Sequence, residues 1–230
     1  MKITLLLIFI NVLVFLNTIA TVPETATDQS TGKNVTVNVT EIRKDIADNY
    51  GFSINNFESG KYYVAVTAMF LHANILHILS NMIALFFLGY AVEQKAKGLM
   101  FFSAYMVTGV IGNLVTFFPI FGYDPNVILI GASGAIFGII GFGTFLIPTK
   151  WVIYAFPIPL PFILAGVLYF FVTYSNLFIP SETAYAAHLG GFMAGAVFGL
   201  TLGEERVKSL TLFILLLLLM ITVPIIVRTL

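Results

Sequence analysis

Long apolar segments dominate this chain and leave it few ways to fold. Apolar residues make up 59% of the 230 residues and charged residues only 10%, whereas a soluble domain carries about 25% charged residues. The hydrocarbon core of a bilayer is about 30 Å thick, so a helix crosses it with roughly 20 apolar residues. We therefore predict an all-α polytopic membrane protein in contact with the lipid bilayer.

The apolar segments are numerous and long enough for seven membrane-spanning helices. We predict spans near residues 3–22, 69–92, 99–118, 131–148, 161–179, 184–203 and 210–228. The first segment also fits a secretory signal peptide, because Lys2 precedes it and small residues lie near its end. The last segment carries no chemistry, and we expect it to pack outside the core formed by the others.

Two connections between these spans have a distinctive composition. Residues 23–61 are polar, so we predict an outer loop that partly folds over the membrane surface. Residues 150–160 alternate prolines with apolar residues, and proline lacks the backbone donor that a helix needs. We expect an extended interfacial segment there, with Trp151 and Tyr154 at headgroup level and a helix from Pro161. A longer, kinked helix is the alternative.

Among the short connections between the predicted spans, lysine and arginine are concentrated on one side. The long 23–61 loop also holds Lys33, Arg43, Lys44 and Lys61, but the positive-inside rule weakens for a long loop. With the N-terminus inside, the inner segments hold Lys2, Lys95, Lys97, Lys150, Arg206 and Lys208. Positive residues favour the cytoplasmic side, so we predict a cytoplasmic N-terminus and an outer 23–61 loop, with the plasma membrane as the expected location. Two glycosylation patterns in that loop, at Asn34 and Asn38, agree with this orientation.

The composition also excludes several kinds of partner and cofactor. The net charge is zero, which gives nucleic-acid binding no electrostatic support. The chain has no cysteine, which excludes disulfides, thiolate metal ligands and a cysteine nucleophile. We expect no nucleic-acid partner, no bound metal and no cofactor.

Polar side chains inside membrane spans are costly, and each is therefore a functional candidate. His77 and Asn81 are four residues apart, so they share one helix face and can donate hydrogen bonds to one point. Taken alone, they are better explained by hydrogen bonds to a neighbouring helix. His72 lies nine residues before Asn81, on the opposite face of a continuous helix, so we expect it to have a structural role.

Ser133 and His188 lie among glycines that let two helices approach closely. Gly131 and Gly134 flank Ser133 at a helix start, where backbone N–H groups are free to bind an oxyanion. His188 lies on the same face as a stripe of small residues, Gly191, Gly195 and Gly199. We expect this face to pack against Gly134 and Gly138, with Ser133 and His188 within hydrogen-bond reach. Helix packing would explain either motif alone.

Together, these residues resemble the motifs of the rhomboid family of intramembrane proteases. The matching motifs are His72-x4-His77-x3-Asn81, Gly131-x-Ser133-Gly134 and Ala187-His188-x2-Gly191-x3-Gly195. The opening helix, around residues 10–16, is also similar, which argues against a cleaved signal peptide. The resemblance implies a six-helix catalytic core at residues 1–203, followed by a short inner loop and an extra C-terminal helix at 204–230.

The resemblance also implies a specific chemistry. Ser133 and His188 would form a catalytic dyad without a carboxylate, and the oxyanion would bind to His77, Asn81 and the Ser133 N–H. The expected activity is that of a serine endopeptidase that cuts transmembrane protein substrates near the outer membrane face. The helix at 161–179 is the candidate lateral gate for these substrates.

The chain departs from the family pattern at three places. Phe137 lies where family members often carry a tyrosine against the catalytic histidine. Lys97 replaces the last glycine of a GxxxExxxG pattern that Gly89 and Glu93 otherwise match, and Tyr63-Val64 replaces a Trp-Arg pair. These departures concern the folding and stability of the outer loop rather than the chemistry.

Two other functions remain compatible with these residues. A transporter or channel would use the buried histidines as a proton relay, although the halves of the chain show no inverted repeat. A non-catalytic binder of the same fold would escort membrane proteins, and its binding would survive Ser133→Ala and His188→Ala.

Overall fold

The computed structural model describes residues 1–27, 34–121, 124–154, 156–177 and 184–229, and most of them are helical. The α-helices, in chain order, are α1 (Lys2–Thr18), α2 (Lys44–Tyr50), α3 (Ile54–Glu58), α4 (Val64–Thr67), α5 (Ile75–Ala84), α6 (Tyr90–Ala96), α7 (Gly98–Val115), α8 (Ser133–Leu146), α9 (Phe162–Ser175), α10 (Tyr185–Leu202) and α11 (Arg206–Thr229). Three short segments complete the helical structure: 3₁₀ turns at Ala68–Phe70 and Pro119–Phe121, and a π-helix at Leu85–Gly89 that joins α5 to α6.

The prediction of an all-α chain is corrected by two antiparallel hairpins. Strand β1 (Ile19–Thr27) pairs with β2 (Asn34–Ile42) in a register that runs from Ile19↔Ile42 to Thr27↔Asn34. Valines alternate with asparagine and threonine along β2, which is the period of a strand. The first helix therefore ends at Thr18, before the predicted boundary at residue 22, and the segment predicted to be an outer loop begins with strand β1.

The second hairpin replaces the predicted extended segment before α9. Strand β3 (Trp151–Tyr154) pairs with β4 (Phe156–Pro161), and α9 begins at the next residue, Phe162. The extended segment and the helix start are thus as predicted, and the alternative of one kinked helix is wrong. Trp151 is exposed, while the side chain of Tyr154 lies outside the described part of the chain.

The second predicted span begins six residues later than residue 69. The chain leaves the 3₁₀ turn at Phe70 and re-enters a helix at Ile75, after a break at residues 71–74. Asn74 caps this helix, because its side-chain oxygen accepts a hydrogen bond of 2.9 Å from the His77 N–H. An N-cap of this kind satisfies one of the free donors of the first helical turn.

Within the described ranges, three helical segments are long and apolar enough to cross a membrane: residues 75–96, 98–115 and 185–202. Helices α1, α8 and α9 are apolar but shorter. Helix α8 has 14 residues, which gives a length of about 21 Å. It is therefore shorter than the hydrocarbon core of about 30 Å.

Helix α8 forms the centre of the molecule. All of its residues are buried except Ser133 and Phe137, as expected for a helix that is apolar all round and enclosed by others. Helix α10 packs against it through glycines: a Cβ added to Gly191 or Gly195 would overlap the carbonyl oxygen of Gly134 or Gly138. This is the close helix pair that the glycine pattern predicts.

Helix α11 lies at the edge of the bundle but contributes to its core. Phe213 is buried and packs against phenylalanines of three other helices, at ring distances of 5.3 to 6.1 Å: Phe145 of α8, Phe170 of α9 and Phe192 of α10. The expectation that this helix packs wholly outside the core is therefore corrected at Phe213.

Candidate active site

Ser133 and His188 form a direct side-chain contact. The Ser133 Oγ lies 2.8 Å from the His188 Nε2, which is hydrogen-bond distance. Ser133 is the first residue of α8, and His188 lies in the first turn of α10. The glycine contacts between these two helices hold the side chains together, as the sequence predicts.

Aromatic rings fix the orientation of the His188 imidazole. The Phe137 ring stacks on it with a centroid distance of 4.2 Å and an interplanar angle of 7°. The Tyr185 ring meets it edge-on at 6.1 Å, and Tyr169 of α9 packs edge-on against Phe137. Phe137 has no hydroxyl, so it positions the histidine through ring contact alone.

His77 and Asn81 lie over the turn that precedes Ser133. Gly131 in this turn has a φ of +128°, a conformation that only glycine adopts readily. A Cβ added to Gly131 would lie 2.7 Å from the His77 Nε2 and 3.7 Å from the Asn81 Nδ2. The turn therefore approaches the His77 Nε2 more closely than a residue with a Cβ allows, and it lies within ordinary contact distance of the Asn81 Nδ2.

His77 and Asn81 each have a side-chain N–H donor available beside this turn. The Ala73 N–H donates to the His77 Nδ1 at 3.3 Å, so the neutral ring carries its proton on Nε2. The Asn81 Nδ2 is buried and has no hydrogen-bond partner among the described residues. Both groups can therefore donate to an anionic atom placed beside the turn.

His72 lies much closer to the other polar residues than the sequence indicates. It falls in the break before α5 instead of on the far face of a continuous helix, and its ring lies 5.1 Å from that of His77. It is fully buried, and its Nε2 accepts a long hydrogen bond of 3.5 Å from the Ala132 N–H. This contact agrees with a structural role, but at the turn before Ser133.

Two further backbone contacts hold the segment that leads to Ser133. The Gly131 N–H donates to the Ala68 carbonyl oxygen at 2.9 Å. Phe52 and Leu129 exchange two backbone hydrogen bonds of 2.7 and 3.0 Å, which connect this segment to the 23–61 loop. Neither contact was predictable from a sequence motif, because each is made by the backbone.

These side chains line one open cavity with a volume of about 560 Å³. His77, Asn81, Ser133 and His188 contribute its polar surface, together with Asn74 and Ser80. Ile136 and Phe137 provide part of the apolar wall. The cavity therefore places a serine hydroxyl, an imidazole and two side-chain N–H donors around one shared space.

Two of the three departures from the family pattern, at Lys97 and at Tyr63-Val64, lie away from this cavity, whereas the third, Phe137, lines it. Glu93 is buried and accepts hydrogen bonds of 2.6 to 3.0 Å from the Ile3 and Thr4 N–H groups and the Thr4 hydroxyl, which joins α6 to α1. Lys97 connects α6 to α7 with a φ of 64°. Tyr63 is exposed and donates from its hydroxyl to the Asn49 carbonyl oxygen at 3.2 Å.

Comparison with known proteins matches residues 59–205 to the family described as Rhomboid domain. RHOMBOID-like protein 5 of Arabidopsis thaliana is 30% identical over 145 residues, which cover 63% of this chain and 45% of that protein. Rhomboid-like protease 3 of Toxoplasma gondii is 30% identical over 154 residues, or 64% and 52% of the two chains. Putative rhomboid protease YdcA of Bacillus subtilis is 30% identical over 105 residues, or 45% and 49%. The chain thus spans about half the length of each of these relatives.

Proposed function

This chain belongs to the rhomboid family, and from that premise we propose that it is an intramembrane serine endopeptidase. Ser133 is the nucleophile and His188 is the general base. The observation that carries this proposal is the distance of 2.8 Å between the Ser133 Oγ and the His188 Nε2, in a cavity that also holds two unused donors. The substrates are membrane-spanning proteins.

The reaction proceeds through an acyl-enzyme. The Ser133 Oγ attacks the peptide carbonyl carbon while the His188 Nε2 takes the hydroxyl proton, and His188 then returns this proton to the leaving amine. A water molecule, activated by the same histidine, releases the new carboxylate and restores Ser133. No carboxylate is needed to orient His188, because Phe137 and Tyr185 pack against its ring.

The oxyanion of the tetrahedral intermediate binds beside the Gly131 turn. His77 donates from Nε2, Asn81 donates from Nδ2, and Ser133 donates its backbone N–H, one of the groups at a helix start that have no partner within the helix. Each such donor lowers the barrier by about 2.7–4 kcal/mol in other hydrolases. The short helix α8 supports cleavage below the outer membrane face, since a helix of about 21 Å that ends at the inner boundary of the hydrocarbon core has its first residue inside the bilayer.

We also propose how the chain crosses the membrane. Residues 1–203 form a core of six spans from α1, the 75–96 segment, α7, α8, α9 and α10, while residues 204–230 add a seventh. The N-terminus is cytoplasmic and the 23–61 loop is outside, as the positive residues favour, and the protein resides in the plasma membrane. Helix α9 is the lateral gate for substrates, because Tyr169 on this helix closes against Phe137 beside the base.

The test is cleavage of a transmembrane substrate in liposomes by the unaltered chain, Ser133→Ala and His188→Ala. Cleavage by the unaltered chain alone supports the dyad, and the position of the cut gives the depth of the site. Cleavage by all three proteins would exclude Ser133 as the nucleophile. A serine-reactive fluorophosphonate provides a second readout that needs no substrate, since it should label the unaltered chain but not Ser133→Ala.

The same experiment separates the two rival functions. A non-catalytic binder captures membrane proteins equally well with all three chains and is not labelled by the fluorophosphonate. A transporter carries a solute or proton across the liposome membrane, and this flux is insensitive to Ser133→Ala. Neither rival accounts for the contact between the serine and the histidine.

A further inference from the structure

Two cavities meet at the end of α8 that lies away from Ser133. One is a cleft of about 260 Å³ with lysine and glutamate side chains in its wall. The other is an apolar groove of about 420 Å³ between the start of α9 and α11. Pro148 and Thr149 line both cavities, so a polar space and an apolar space adjoin.

The charges around the cleft leave one cation without a counter-charge. Lys95 pairs with Glu204 at 2.6 Å, and Lys208 pairs with Glu205 at 3.1 Å. The Lys150 Nζ instead donates to the Gln94 Oε1 at 2.6 Å and to the Ala91 carbonyl oxygen at 3.3 Å. Among the described residues it has no carboxylate partner, and partial burial lowers its pKa. An anion bound in the cleft would supply the negative charge that Lys150 lacks.

The apolar groove adjoins this cleft and is lined by residues of α9 and α11. Pro161 and Leu164 form one wall, and Leu212 and Leu216 of α11 form the other. Leu216 lies eleven residues after Glu205, which corresponds to about 16 Å along a helix, or about half of a hydrocarbon core of 30 Å. Trp151 lines the groove and is 66% exposed, and tryptophan favours the headgroup level of a membrane.

We propose that the cleft and the groove together bind one anionic membrane phospholipid. Its phosphate accepts a hydrogen bond from the Lys150 Nζ in the cleft, and an acyl chain lies in the groove between α9 and α11. The negative headgroup is preferred over a zwitterionic one, because the carboxylates at the cleft are already paired and Lys150 is not. This site lies at the opposite end of α8 from the catalytic cavity and does not depend on the proposed protease activity.

The single tryptophan of the chain, Trp151, is a built-in probe for this lipid. The full chain is reconstituted into phosphatidylcholine vesicles that contain a minor fraction of brominated phosphatidylglycerol, or the same fraction of brominated phosphatidylcholine. Brominated acyl chains quench a neighbouring indole, so we expect stronger quenching by the brominated phosphatidylglycerol. Unbrominated phosphatidylglycerol should reverse this quenching by competition.

Lys150→Gln should weaken the preference for phosphatidylglycerol roughly tenfold, as expected for the loss of one charge-assisted hydrogen bond. Lys97→Gln is the control, since Lys97 is an exposed lysine at the end of α6 that does not line the cleft. The lipid preference of this variant should match that of the unaltered chain. Equal quenching by the two brominated lipids in the unaltered chain would overturn the proposal, and so would equal effects of the two variants. Reversal of quenching by inorganic phosphate would assign the cleft to a free anion and overturn the lipid assignment.

Discussion

Gly131 is the residue on which the geometry of the proposed oxyanion site depends. It has a positive φ, and a Cβ there would lie 2.7 Å from the His77 Nε2. Gly131→Ala should therefore displace His77, the turn or both, and move the donors away from the oxyanion. We expect the kcat of substrate cleavage in liposomes to fall at least about a hundredfold, the loss seen when one oxyanion donor is removed from other hydrolases.

Gly60 offers a matched control, because it also has a positive φ but has no atom within 4 Å of an added Cβ. Gly60→Ala should lower the free energy of unfolding by about 1–2 kcal/mol through backbone strain and leave the cleavage rate unchanged. If Gly60→Ala reduced cleavage as strongly as Gly131→Ala, backbone strain would explain the loss of activity in both variants, and the position of the oxyanion donors would not.

Lys97 carries backbone strain that a glycine would release. Its φ of 64° and ψ of 160° fall in a region that is essentially restricted to glycine and costs about 1–3 kcal/mol for other residues. Lys97→Gly should raise the free energy of unfolding by about 1 kcal/mol, since the greater freedom of glycine in the unfolded chain offsets part of the gain. Thermal unfolding of the purified protein in detergent measures this change.

Lys97→Ala separates the strain from the lysine side chain. It removes the positive charge but retains a Cβ at the same φ, so its unfolding temperature should stay close to that of the unaltered chain. A gain as large as that of Lys97→Gly would show that the charge, and not the backbone, is unfavourable at this position.

The sequence predicts the positions of some residues at the candidate site and not of others, and the difference has a physical reason. Ser133 and His188 could be paired because glycine spacing determines which helix faces meet. His72 could not be placed, because a continuous helix through residues 69–92 puts it far from Asn81. Asn74 was the available signal, since an asparagine before an apolar run is a typical N-cap, and a helix start at Ile75 frees His72 from the helix face.

At the scale of elements, the hairpins are the part of the fold that the apolar pattern does not reveal. A span is recognised by its length alone, whereas a strand pair also requires a partner segment and a register. The alternation of valine with polar residues at 35–40 has the period of a strand, and that signal lies within a polar loop. The prolines of residues 157–161 exclude a helix but do not specify the pairing of β3 with β4.

Helix α11 is attached to the bundle by a few of its side chains, since Leu216 and Leu217 pack against the core alongside Phe213. Phe213 is its contact with the phenylalanine cluster of α8, α9 and α10. Phe213→Ala should lower the free energy of unfolding by about 3–5 kcal/mol, the range for a buried phenylalanine. Leu215→Ala on the exposed side of the same helix should change it by less than about 1 kcal/mol. Equal losses measured by thermal unfolding in detergent would mean that the cluster does not hold α11.

At the scale of the whole molecule, the two ends of α8 lie in different environments. Its first residue, Ser133, lines the cavity of the proposed active site, close to the backbone contacts made by Phe52 and Ala68. Its last residues reach the cleft with Lys95, Lys150 and Glu204. The concentration of lysines at one end of this helix and of the proposed chemistry at the other makes the orientation of the chain a single question, which one labelling experiment can answer.

The absence of cysteine makes single-cysteine labelling a clean test of this orientation. A membrane-impermeant maleimide should label Asp48→Cys in intact cells, because α2 belongs to the loop that we propose to lie outside, and should label Lys208→Cys only after permeabilisation. Helix α11 has 24 residues, a length of about 36 Å that suffices to cross the bilayer. Thr229→Cys should therefore be labelled in intact cells, like Asp48→Cys. Protection of Thr229→Cys together with labelling of Asp48→Cys would show that α11 does not cross, and the reverse pattern at Asp48 and Lys208 would invert the whole topology.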